Sequence, residues 1–211
     1  MTFTLSLDDG TFLVKLARRA IVHFFETSEI MVPPKNSPEK LYEKCGVFVT
    51  LNKVRKDFVE LRGCIGYPYP SNPLVEATID SAVNAAFEDP RFPPLSKKEL
   101  DSVVIETSIL TPLEQIKPKE PKEYVKNITI GKDGLVVERG CCKGLLLPQV
   151  PIEASWDEED FLSHCCLKAG LSPDSWLLTD TKIYKFQAII FEEISPNGPV
   201  KRLELKSKES Q

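Results

Sequence analysis

Two β-rich runs, Gly46-Val47-Phe48-Val49-Thr50-Leu51 and Phe58-Val59-Glu60-Leu61, flank a polar loop from Asn52 to Asp57, and helical patterns stand on either side of the pair. That alternation constrains the fold more than any other feature. Hairpins with helices inserted between them require a mainly antiparallel sheet with one face buried under helices, an α+β arrangement. The spacing predicts three main helices. The first spans Thr11 to Thr27, with Phe12, Leu13, Leu16, Ala17, Ala20, Ile21 and Phe24 on one side. Lys15, Arg18, Arg19 and Glu26 fall on the other side. The second opens at Asn72-Pro73, a cap residue followed by a residue suited to the first helical position, and runs to about Phe87. The third opens on the capping box Ser155-Trp156-Asp157-Glu158, buries Phe161, Leu162, Cys165 and Cys166, and closes at Gly170.

Further strands are expected at Val103–Leu110, Gly144–Leu147 and Tyr184–Phe191. A tight hairpin is expected at Lys132-Asp133-Gly134, between Ile128–Ile130 and Leu135–Glu138. A short helical piece is expected near Ser96 to Leu100. Residues 1–200 are read as a single domain and 201–211 as a polar tail.

A net charge of −4 argues against nucleic-acid binding driven by counterion release. No apolar run is long enough to span a membrane, and MTFTLSLDDG lacks the pattern of a secretory signal, so a cytoplasmic protein is expected. The six cysteines (45, 64, 141, 142, 165 and 166) lack the paired spacing of a zinc site; neither metal nor cofactor is expected. Cys165 and Cys166 fall on a helical apolar face and read as core.

The second β run carries the chain into Leu61-Arg62-Gly63-Cys64-Ile65-Gly66, which places LRGCIG at a strand end. Two other stretches stand out: Asp89-Pro90-Arg91-Phe92-Pro93-Pro94 with Glu99-Leu100, and Gly144-Leu145-Leu146-Leu147-Pro148-Gln149-Val150 with Trp156 and Lys168-Ala169-Gly170. With these three motifs in order over about residues 10–200, the chain resembles the AMMECR domain family, named for an Alport syndrome, midface hypoplasia and elliptocytosis chromosomal region. The resemblance implies an α+β fold with a larger and a smaller lobe around a cleft where LRGCIG is expected. The family carries no established activity. Its association with Memo-type dioxygenase-like proteins and radical S-adenosylmethionine proteins implies a role in modifying a substrate, RNA or a small molecule, and names those two classes as partners.

Cys64 has two readings. As a nucleophile or redox thiol it needs a lowered pKa. Arg62 would supply a cation on the same strand face, Gly63 and Gly66 a flexible backbone with amides for an oxyanion, and the helix opening at Pro73 its positive end. As a packing residue, Cys64 is a small side chain between glycines where chains cross. Glu106 interrupts an apolar strand and needs a partner such as Arg62 or Arg91, as an acid or base or as a structural ion pair. Arg91 and Gln149 are candidate ligand contacts, and Asp89 reads as a turn residue capping backbone amides. His23 and His164 are expected to be structural. If the hairpin loop centres between Val54 and Arg55, Cys45 falls opposite Cys64, within reach of a disulfide. Two functions stay open: an enzyme or enzyme subunit using Cys64, Arg62 and Glu106, or a noncatalytic module that recognises a protein or ligand through the LRGCIG surface.

Overall fold

The computed structural model describes residues 4–56 and 58–203. The chain forms two compact units, one of residues up to Leu110 together with Ile189–Leu203, the other of Thr111–Ala188.

The first unit begins with α1 (Leu7–Thr27), four residues earlier than the periodicity indicates, because Ser6 and Asp9 close a capping box. A hairpin follows, β1 (Gly46–Val54) and β2 (Val59–Tyr67), then α2 (Leu74–Phe87), the single turn α3 (Lys97–Leu100) and β3 (Val103–Leu110). The second unit holds β4 (Glu114–Ile116), β5 (Asp133–Arg139), β6 (Cys142–Leu146), the turn α4 (Val150–Glu153), α5 (Glu158–Lys168) and the first part of β7 (Lys182–Glu193). The chain returns to the first unit through Ile189–Glu193 and adds β8 (Val200–Leu203). Every strand pairing with a resolved register is antiparallel, so the fold is α+β as expected.

In the first unit the strands run β2-β1-β3-β7, with β8 paired to β7. Alternation sends Val47, Val49 and Leu51 of β1 and Ile105 and Ile109 of β3 to one face, where α1 and α2 cover them with Leu13, Leu16, Ile21, Val75, Ile79 and Ala82. Arg18 belongs to this interior and not to the polar side of α1. It is 7% exposed, its guanidinium bonds to Glu193 and to the Leu100 and Val103 carbonyls, and Glu193 also accepts the Ile105 amide. A buried carboxylate opposite a buried guanidinium removes the cost that either alone would carry.

In the second unit α5 lays Phe161, Leu162, Cys165 and Cys166 against Leu135, Val137 and Ile183. Both cysteines are core residues, as expected.

Several local readings change. The cap of α5 is Asp157, which accepts the Asp160 amide, while Ser155 takes a left-handed conformation. The cap position of α2 is Pro73, with no side-chain cap from Asn72. Asp133-Gly134 is not a turn but the start of β5: Asp133 is buried and accepts the Thr129 amide, and Ile128–Ile130 is not a strand. Lys201–Leu203, read as the start of a tail, pairs with β7, and 204–211 lie outside the described residues.

Candidate functional site

LRGCIG lies inside β2, not at its end, and β2 is the outer strand of the first unit's sheet. Its glycines explain how it fits there. A Cβ on Gly63 would sit 2.1 Å from the Ala85 carbonyl oxygen of α2, and one on Gly66 would sit 2.2 Å from the Val47 carbonyl oxygen of β1. Both positions are closed to any side chain by backbone that cannot yield. Neither glycine adopts a left-handed conformation. They serve the close approach of β2 to α2 and to β1.

Cys64 pairs with Thr50, not with Cys45. The tip of the hairpin lies two residues further along than the sequence reading assumed, since Val54 pairs with Val59. All six cysteines are free thiols. Thr50 donates its hydroxyl to the Cys64 sulfur at 3.1 Å, and Thr50 in turn lies opposite Glu106 on β3. Cys64, Thr50 and Glu106 therefore form one row across three strands, on the face away from α1 and α2.

Leu51 opposes Gly63 while Asn52 opposes Leu61, which leaves Arg62 as the extra residue of a β-bulge. The bulge breaks the alternation that would put Arg62 beside Cys64. Its guanidinium instead reaches Glu99 at 3.3 Å and the Pro93 carbonyl at 2.9 Å. Arg62 is thus not the cation of the thiol. Glu99 also takes Lys53, and these donors hold its carboxyl down to about 2.

The DPRFPP stretch clasps the edge of β2 at Cys64. Asp89, buried, accepts the Cys64 amide at 2.9 Å, and Arg91 donates to the Cys64 carbonyl at 3.2 Å. The clasp closes on itself through a bidentate pair: Arg91 gives Nε and Nη2 to the two oxygens of Asp89 at 3.0 and 2.7 Å. That pairing holds the Asp89 carboxyl well below the usual range. Phe92 places its ring under both arginines, with the Arg62 and Arg91 guanidinium carbons 5.8 and 5.4 Å from its centroid. A strand edge that would otherwise offer free backbone groups is thereby covered. Asp89 keeps its expected capping role toward Arg91 and adds the hold on Cys64.

Burial pushes the Cys64 thiol up, with Glu106 and Asp89 adding to the rise and Thr50 and Arg91 opposing it. The positive end of α2 offers no help, because Gly63 packs at Ala85, near that helix's C-terminal end. Among the described residues Glu106 pairs with no arginine. It accepts the Ser108 hydroxyl at 3.0 Å, and burial together with nearby Glu192 raises its pKa. Among the described residues no histidine hydrogen-bonds the Cys64 sulfur. His23 lines a separate cavity of the first unit with Arg19, and His164 stacks on Trp156 at 3.8 Å. Gln149 belongs to the second unit, at the start of α4, where its Oε1 is buried without a hydrogen-bond partner among the described residues. Among the described residues no cluster of three or more His, Cys, Asp or Glu is placed to hold a metal ion. No described helix is long and apolar enough to cross a membrane.

The hairpin ahead of LRGCIG carries a feature that sequence reading passed over. Val54, Phe58, Val59 and Leu61 are all exposed, Phe58 by 62% and Val59 by 59%. The signal was present in the second β run, where apolar residues stand at consecutive positions and cannot all face inward.

Comparison with known proteins follows the motifs. Protein PH0010 of Pyrococcus horikoshii is 54% identical over 203 residues, covering 96% of this chain and 98% of its own. Protein MK0488 of Methanopyrus kandleri is 53% identical over 202 residues, covering 95% and 96%. The crystal structure of PH0010 superimposes with a TM-score of 0.86 over 96% of this chain and 100% of that one. The AMMECR1 family model matches residues 14–191, and the chain belongs to the AMMECR1 family.

Proposed function

We propose that the LRGCIG strand and its hairpin form a recognition surface for a protein partner, with Cys64 acting as a neutral hydrogen-bonding residue and not as a thiolate. The observation that carries this reading is the use made of charge. Both arginines near Cys64 are tied into ion pairs that hold the strand, and the thiol is pushed up instead of down. A nucleophilic cysteine requires the opposite. The exposed apolar tip of Val54, Phe58, Val59 and Leu61 supplies contact area next to a strand whose edge is already fixed. By family analogy the partner classes to try are a Memo-type dioxygenase-like protein and a radical S-adenosylmethionine protein.

The competing reading is a thiol enzyme, or enzyme subunit, acting on RNA or a small molecule. One feature favours it: Glu106, with its raised pKa, shares a row with Thr50 and Cys64, as an acid–base group would.

Alkylation of the native protein, followed at each cysteine as a function of pH, separates the two. The recognition reading expects Cys64 to react no faster than a free thiol at pH 7, with half-maximal reactivity above the ordinary value of about 8.5. Rapid reaction of Cys64 at neutral pH would hand the site to the enzyme reading. In a binding assay with a purified Memo-type protein, Phe58→Asp is expected to weaken association at least tenfold. Unchanged binding would remove the hairpin tip from the proposal.

A further inference from the structure

The second unit contains a cavity of about 360 Å³ whose lining is unlike the rest of this acidic chain. Three lysines line it, Lys117, Lys119 and Lys182, and no carboxylate does. None of the three ammonium groups has a hydrogen-bond or ion-pair partner among the described residues. Three of the neighbouring acids have partners of their own, among them Asp180, which pairs with Arg139 at 2.9 Å. Glu123 accepts the Lys119 backbone amide at 3.0 Å, and Glu138, cross-strand from Lys182, pairs with Lys143 at 3.2 Å.

Tyr124 is the second, independent observation. Its ring sits in the core of the unit, only 7% exposed, yet its hydroxyl has no partner among the described residues and is not sealed from the cavity. A tyrosine whose ring is fixed in a core while its hydroxyl stays accessible presents a positioned donor to a ligand. Burial raises its pKa, so the group stays a donor across the physiological range. Pro118, Pro121, Ile116 and Leu178 supply the apolar part of the lining, and Gln115, Thr179 and Thr181 add further polar groups.

We propose that this cavity binds a phosphorylated small molecule, with its phosphoryl oxygens on Lys117, Lys119 and Lys182, the Tyr124 hydroxyl donating to it, and its organic part against the prolines. Lysine suits phosphoryl oxygens because it acts as a point charge with three donors, whereas a planar carboxylate is better met by the arginine fork that the cavity lacks. The volume lies toward the lower end of small-molecule sites, roughly 300–1,000 Å³. With the chain negative overall, an anion is attracted here by this local cluster and not by the general field. None of these residues belongs to LRGCIG or its clasp.

Calorimetric titration of the full chain with inorganic pyrophosphate, then with adenosine diphosphate, tests the site. Saturable binding is expected, tighter for the nucleotide and weaker in high salt. The double variant Lys117→Ala/Lys182→Ala is expected to weaken it at least tenfold while melting at the same temperature. Tyr124→Phe keeps the ring in the core and is expected to cost about three- to tenfold. No saturable binding by either probe overturns the proposal, as does binding that the double variant retains. A short RNA that binds through the same lysines more tightly than the nucleotide also overturns it, and makes the cavity part of a nucleic-acid surface.

Discussion

Around Cys64 the cations are paired with carboxylates, although Arg62 leaves its Nη1 buried without a partner among the described residues, while in the lysine cavity no cation is paired among those residues. Arg62, Arg91 and Lys53 all end on Asp89 or Glu99, and those two carboxylates hold a strand edge and a bulge in place. Lys117, Lys119 and Lys182 stand without a counter-charge among the described residues. The lesson is that a charged residue inside a conspicuous motif can serve the motif's own architecture. Charge free to meet a ligand can sit in a stretch with no motif, among prolines and lysines that read as a connection.

The contrast predicts where substitutions hurt. The largest effect is expected at the buried pair of the first unit. Glu193→Ala strands the Arg18 guanidinium in the core and should cost about 3–5 kcal/mol in denaturant unfolding. A loss below about 1 kcal/mol would mean that the first unit tolerates unpaired charge and that the contrast fails. Asp89→Ala frees both Arg91 and the Cys64 amide and should cost about 2–3 kcal/mol. It should also speed hydrogen exchange at Cys64, which a general loss of stability without local opening would not do selectively.

The smallest effect is a pH dependence. Glu99 has a depressed carboxyl, so its contribution is fully present above the ordinary glutamate value of about 4.3 and is lost as pH falls through about 2. Glu99→Gln should therefore lower stability at pH 7 by about 1 kcal/mol and flatten the acid limb of the stability curve in that window. An unaltered acid limb would show that Glu99 contributes nothing net. Glu106 works with the opposite sign and in a different window: its raised pKa is a cost at neutral pH that is relieved as pH falls toward the ordinary value of about 4.3, above the range in which the Glu99 contribution is lost.

The elements legible in the sequence were those with long periodic signals. The three main helices, the first hairpin and the long strand of β-branched residues from Val103 to Leu110 were readable because burial repeats along each of them. What escaped depended on partners distant in sequence. Arg18 looked exposed because it is charged, and the carboxylate that buries it lies 175 residues away. Arg62 looked like a thiol partner because alternation assumes a regular strand, and a single bulged residue removes that assumption without altering composition. The Cys45–Cys64 pairing failed for a related reason: a small shift in where the hairpin turns changes every cross-strand neighbour. The short strands β4 and β8 are too brief to show a period. Cys64 and Asp89 were both noticed, but that one holds the backbone of the other could not be seen from spacing alone.

The first unit is discontinuous in sequence, and this has a consequence during synthesis. A nascent chain that has emerged only as far as Leu110 already carries Arg18, but lacks Glu193 and the last strands of that unit. All of Thr111–Ala188 must be made first, on the order of ten seconds of translation at ~10 residues per second. The inserted unit has its sequence complete before its host does, so the ribosome delivers the second-encoded unit as the first one able to finish folding. The N-terminal segment waits with apolar helices and an unpaired sheet edge exposed, which makes this interval the one in which a chaperone has most to protect.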